Sequence, residues 1–338
     1  MPRISSLAVA SAAALLLAAC SDAGQPTAAR PTDPALQDGQ PHLGVVGLRS
    51  APQRPLFDGN GNAGGVGAAA TSTGISYHGG PVLQAQTRVA AVYWAASTIY
   101  AGGPAAGSTG IGASDGSNVG WVMNHLGGSP YFNINTTYTN AAGTAISNVV
   151  AYTQFWANNS YGVPTGTKRV TDTQILAMLQ YAFNNGKLTY DAGTLYNVFT
   201  AGSVNLGGGF GTQYCAYHSW GNVTVAGVTR SVLYSAMPYD YAKAAACSNG
   251  TKSPNNDPAA DAEVSVLTHE IEETTTDMNG NAWYDSVGNE NADKCAWNFG
   301  TTYTTANGGV ANVNLGGRDF LIQQNWINAG TGGCRMSW

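Results

Sequence analysis

The residues with the most chemistry in their spacing lie between Asp261 and Asp277. At ~100° per residue on a helix, Ala260, Val264, Leu267 and Ile271 fall on one face, which is predicted to pack on the core. His269, Glu273 and Asp277 follow one another at intervals of four on the other face, with Glu270 beside them. Side chains at i and i+4 project together, so His269 and Glu273 can grip one divalent ion. Glu270, next to the first ligand, can then reach water on that ion and act as a general base. A solvated acidic helix face is the plainer reading of such a stretch, and the residues downstream weigh against it. Asn289-Glu290-Asn291-Ala292-Asp293 comes after a turn-rich link through Trp283-Tyr284-Asp285. Glu290 is predicted to complete the ligand set with His269 and Glu273, and Asp293 to orient His269. Cys295 would staple this segment in place.

The pattern His269-Glu270-x-x-Glu273 is the zincin arrangement with a carboxylate in place of the second histidine. The downstream Asn-Glu-x-x-Asp stretch resembles the segment that brings the third ligand in thermolysin-like enzymes, one residue tighter. One imidazole with two carboxylates suits zinc, manganese or iron better than calcium, and zinc is the expected ion. Calcium has its own candidate donors in Asp277, Asn279, Asn281, Asp285 and Glu290, but Ala282 stands where an EF-hand loop needs glycine. Tyr284 or His218 is the candidate donor to an oxyanion. His218 is also the next ligand if Glu273 is not one, although a lone histidine between aromatic stretches is more often packed and hydrogen-bonded. His78 reads as structural.

Elements must position these groups. Thr87–Trp94, Leu195–Thr200 and Ser231–Ser235 read as buried strands, β-branched and aromatic, and Phe320–Trp326 as a final strand. Thr171 to about Asn184 reads as a helix, with Thr171 or Thr173 as its cap and Ile175, Leu176, Leu179 and Phe183 on one face. Few helices among many short strands predict an α+β domain over 74–338, built on a mixed, strand-rich sheet, with one helix carrying the motif.

The first nineteen residues read as a secretory signal: Arg3, an apolar run from Leu7 to Leu17, then Leu17-Ala18-Ala19-Cys20. Cysteine directly after Leu-Ala-Ala resembles the bacterial lipobox, so Cys20 is the expected lipidation site and the lipid the expected membrane contact. Ser21, rather than an acidic residue, favours the outer membrane or the cell surface. Residues 20–73, poor in aromatics and rich in Gly, Pro and Ala, read as a tether. Without Cys20, four cysteines remain, an even number that predicts two disulfides in an oxidising compartment. Sequence order favours Cys215–Cys247 with Cys295–Cys334 among the three pairings. A net charge of −5 and 10% charged residues leave no basic stripe for nucleic acid.

Several stretches together resemble the EXORDIUM, or phosphate-induced protein, family of plant extracellular proteins with bacterial and fungal relatives. They are Tyr77-His78-Gly79-Gly80-Pro81-Val82-Leu83, Cys215-Ala216-Tyr217-His218-Ser219, Leu267 to Glu273, Asn281-Ala282-Trp283-Tyr284, Glu290 to Cys295, and Asn314 to Gln323 with Trp326 after it. The resemblance implies secretion and action at the cell wall or surface, and brings no established reaction. This chain departs from the plant pattern in its lipid-anchor signal and at Thr276-Asp277. Two functions are therefore expected in competition. One is a metal-dependent hydrolase, peptidase-like, with Glu270 as base. The other is a non-enzymatic surface or cell-wall binding protein in which the same residues hold a structural ion. A catalytic site keeps a coordination position open, and a structural one is closed.

Overall fold

A strand buried on both faces reads as an unbroken apolar run, and Val89 to Trp94 is such a run. It lies in the interior of the main sheet. The computed structural model describes the strand at 43–47 and residues 73–166, 169–206 and 209–338. The signal, Cys20 and most of the expected tether lie outside the described residues. In chain order the first nine strands are β1 (Leu43–Gly47), β2 (Ser76–Tyr77), β3 (Thr87–Trp94), β4 (Thr109–Ile111), β5 (Val150–Trp156), β6 (Thr194–Thr200), β7 (Tyr214–Val225), β8 (Val228–Met237) and β9 (Trp283–Tyr284). Seven of them form one sheet in the order β1-β7-β8-β6-β3-β5-β4. Strands β5, β3, β6 and β8 run parallel, while β4 at one end and β7 and β1 at the other are antiparallel to their neighbours. β2 and β9 pair separately.

The helices are α1 (Asn118–His125), α2 (Asp172–Asn184), α3 (Ala244–Cys247) and α4 (Pro258–Asp277). α2 starts as expected: the Thr171 side chain accepts from the Gln174 N–H, and the Gln174 side chain accepts from the Thr171 N–H in return. Successive strand residues face opposite ways, which is visible at β7. The Tyr217 hydroxyl donates to Asp172 of α2 (2.8 Å), while its neighbour His218 meets Glu270 of α4 (3.2 Å). Helices therefore cover both faces of the sheet. With 27% strand and 23% helix, the chain has the expected α+β class in a single domain.

Three features differ from the sequence reading. Within the stretch read as a tether, Leu43–Gly47 forms the last strand of the sheet. The segment Phe320–Trp326 is not one strand but the end of Arg318–Phe320, an irregular stretch, and the whole of Asn325–Trp326. Between them Gln323 spends its polar groups elsewhere: its N–H donates to Ser265 of α4 (3.2 Å) and its side-chain oxygen accepts from the Trp297 N–H (2.7 Å), which interrupts a ladder. The third difference is α4 itself. Its start is well signalled, with Pro258 in the first turn and Asp257 accepting from the Ala260 N–H. Its polar face, however, is not open: every residue from Ala260 to Asp277 is buried.

The C-terminal stretch of the chain completes a burial to which the sheet, α1 and the turns at 132–137 and 240–243 also contribute. Residues 283–338 form short hairpins and irregular chain folded back over α4, with a small second core of Ile75, Tyr138, Ile146, Trp283 and Trp326 beneath them. The disulfide Cys295–Cys334 ties this layer together, and Cys215–Cys247 ties β7 to α3, the pairing that sequence order favours. Among the described residues no helix is long and apolar enough to cross a membrane.

Candidate metal centre

With both faces of α4 covered, its acidic residues meet one another and β7 rather than water. His269 and Glu273, one turn apart, stand together: Nε2 lies 2.9 Å from Oε1. Asp293, in the turn after the helix, also stands beside His269, with Oδ1 3.5 Å from the same Nε2. Its backbone N–H donates to Glu273 Oε1 (2.9 Å), and its other carboxylate oxygen accepts the Glu290 N–H (3.1 Å), so the loop is locked onto the helix.

His218 enters from β7. Its Nδ1 is 3.2 Å from Glu270 Oε2 and 3.7 Å from Glu273 Oε2, and its Nε2 is 3.8 Å from Glu290 Oε1. Two sets of donor atoms lie within 4.8 Å of one another: His218 with Glu270 and Glu273, and His269 with Glu273 and Asp293. The structure thus gathers His269, Glu270, Glu273, Glu290, Asp293 and His218 at one end of α4, with Glu273 common to both sets and Glu290 reaching the centre through His218. Sequence reasoning placed His218 with structural residues first. It lies in a strand buried almost throughout, where no alternation marks which side chain faces the helix.

These groups fit a divalent cation. Zinc–ligand bonds of about 2.0–2.2 Å place donors roughly 3–4 Å apart, close to the imidazole–carboxylate distances of both sets. His269 Nδ1 finds no hydrogen-bond partner among the described residues. Burial alone would lower the pKa of His269, but the charges of Glu273 and Asp293 outweigh it and hold the imidazole well above its ordinary 6.5. A proton thus serves where a cation would.

The other predicted residues have local roles. Asp277 accepts the Ala282 N–H (2.6 Å) and closes the turn after α4. Asp285 accepts from the Val287 and Asn289 N–H groups and from Lys294 Nζ, so this candidate calcium donor is committed to its own loop. The Tyr284 ring stacks on His78 with centroids 3.6 Å apart, and His78 takes the structural place expected of it, just after β2.

A further acid pair escaped the sequence reading. Glu263, seven residues before Glu270 on α4, accepts the Asp240 N–H (3.3 Å). Burial raises the pKa of both carboxyls, and the charges of Glu263 and Glu270 push Asp240 further up. The seven-residue spacing of Glu263 and Glu270 was the available signal. Asp240 also approaches Cys215 and Cys247, but their sulfurs are joined to each other and hold no metal.

No curated protein and no solved structure matches the chain. All six residues of the cluster lie between 123 and 326, the stretch that matches the phosphate-induced protein 1 conserved region. With more than half of its length in that match, the chain belongs to the phosphate-induced protein 1, or EXORDIUM, family.

Proposed function

We propose that this chain is an exported, lipid-anchored hydrolase of peptide bonds at the cell envelope or beyond it, working through a divalent ion, zinc by its donor set. The observation that carries the reading is the position of Glu270, which lies on the same turn as His269 and is addressed by His218 at 3.2 Å. His269 and Glu273 would hold the ion with a carboxylate from the loop after the helix, Asp293 by its distance or Glu290 by its spacing. Such an ion supplies Lewis acidity and brings the pKa of water near 7. Glu270 takes the proton of the attacking water. His218, backed by Glu290, holds the Glu270 carboxylate in place and keeps its charge from repelling Glu273. Tyr284 or His218 is the candidate donor to the oxyanion.

A second reading is favoured by a specific observation. The side chains of His218, Glu270, Glu273 and Glu290 are fully buried, and at 17% only Asp293 among the paired groups reaches solvent. A closed site of this kind suits a structural ion in a wall-binding protein. Glu270→Gln separates the two. The hydrolase reading expects bound zinc and melting temperature unchanged, with cleavage of a casein substrate lost at least about a hundredfold. Cleavage that survives Glu270→Gln unchanged, or no cleavage by zinc-bound protein lacking residues 43–47, removes the hydrolase.

Anchoring rests on Leu17-Ala18-Ala19-Cys20 and is supported by the two disulfides, which suit an oxidising compartment. Cys20→Ala should release the protein from membranes and abolish labelling with radioactive palmitate. Labelling that persists in the variant rules the anchor out.

A further inference from the structure

The last strand of the sheet pairs less regularly than the hairpin beside it. β7 and β8 pair in unbroken register from Tyr217↔Ala236 to Val225↔Val228. β1 pairs with β7 antiparallel from Leu43↔His218 to Gly47↔Tyr214, and its register slips twice within five residues. Two of those five, Gly44 and Gly47, are glycines. Glycine weakens a strand because it loses more backbone entropy and offers no side chain for packing. Glycine-rich strands also specify register poorly. Among the described residues β1 is paired on one side only, since the sheet order ends with it.

The place it occupies is next to the chemistry. Leu43 lies opposite His218, whose imidazole reaches Glu270 and Glu273. β1 also lies against α4 and against the turn Asp293–Cys295. An extended backbone therefore runs along β7 directly beside the buried cluster, and a short pairing with two register slips is what holds it there. A sheet edge beside a reactive centre binds extended peptides by main-chain hydrogen bonds, with little demand on side-chain sequence.

We propose that the β7 edge from Tyr214 to His218 is a docking groove for an unstructured, extended peptide, and that β1 is its built-in occupant, so that the chain blocks its own site until β1 is displaced. This rests on the peptidase reading for its consequence: the occupant of the groove is the class of substrate, and β1 is the regulator. It also accounts for the closed cluster without requiring a structural ion. Proline fits the groove poorly, because it has no N–H to give to the ladder.

The experiment uses the full chain and two variants, deletion of residues 43–47 and Val45→Pro, which keeps the chain length. The probe is a fluorescein-labelled peptide copied from residues 42–48, His-Leu-Gly-Val-Val-Gly-Leu. Anisotropy should show at least tenfold tighter binding to either variant than to the full chain. Hydrogen exchange of the Tyr214–His218 amides should speed up at least tenfold in the variants and slow again when the peptide is added. Equal binding to all three proteins, binding to none, or unchanged exchange overturns the proposal. Val45→Pro decides the matter if the deletion does not fold. Binding is read without cleavage, so a groove that fills while casein stays intact leaves this proposal standing and removes the peptidase.

Discussion

Glu272 and Glu273 are neighbours on α4, both fully buried, and they keep different company. Glu272 turns to the layer that covers the helix. Its Oε2 accepts from the side-chain amides of Asn135 and Asn325 (the latter at 2.7 Å), and the Asn291 amide donates to its backbone carbonyl. Burial raises its pKa well above the ordinary value, and the two amides pull against that rise. Glu273 turns the other way, to two imidazoles and the loop of Asp293. A buried carboxyl that accepts two neutral amide donors on one oxygen is a structural bolt and needs no cation. A carboxylate that shares its space with Glu270, Glu290 and Asp293 needs positive charge, whether from protons or from a metal. Two residues of one type, about 100° apart on one helix, are thus separated by the chemistry of their partners.

Substitution breaks the comparison where it is strongest. Glu272→Ala orphans the Asn135 and Asn325 donors, each worth about 1–3 kcal/mol when left buried and unpaired. A loss of about 3 kcal/mol is expected in urea unfolding, equal with and without zinc. Glu273→Gln should cost less, about 1 kcal/mol, in chelator-treated protein, because it also relieves repulsion among carboxylates. Its larger effect is on the ion: the rise in urea midpoint that zinc gives the wild type should disappear, a rise of about 4 kcal/mol where zinc exceeds its dissociation constant about a thousandfold. If both variants respond to zinc as the wild type does, the two corners are equivalent and neither is a metal site.

How far these partners were legible depends on where they lie in the chain. The contents of α4 were readable, because helical spacing is a local signal. So were the central strands, whose continuous apolar runs can only be buried, and the nearness of Asp293 to His269. The surroundings of α4 were not readable. Its polar side looked solvent-bound because the covering layer, Trp283 to the C-terminus, has almost no periodicity and is held by side-chain bonds such as Gln323 to Ser265 and Asn325 to Glu272. His218 was obscured for the same reason. β7 is buried on both faces at its start, so neither parity stands out, and only pairing with β8 reveals that Tyr217 faces α2 while His218 faces α4. β1 was missed because glycine and tether composition outweighed the Val45-Val46 pair.

Glu263 sharpens the comparison by a third case on the same helix, a buried acid whose partner is another acid. Its pKa rises from 4.5 to about 8, chiefly through burial, with the Asp240 N–H and the Tyr100 hydroxyl pulling it down. The native state therefore holds this proton more tightly than the unfolded chain does. Its contribution to stability is complete below about pH 4.5 and is lost as the pH rises through about 8. Asp240, also raised, acts with the same sign. In chelator-treated protein the urea midpoint should accordingly fall between about pH 5 and pH 8.5. Glu263→Gln keeps the shape and stays neutral, so its midpoint should fall less over that range, with the two proteins closest near the acid end. Depletion of the ion matters here, because zinc at His269 and Glu273 adds a pH dependence of its own through the protons it displaces. If the two proteins lose stability in parallel across that range, Glu263 is ionised in the folded protein and belongs with Glu273 rather than apart from it.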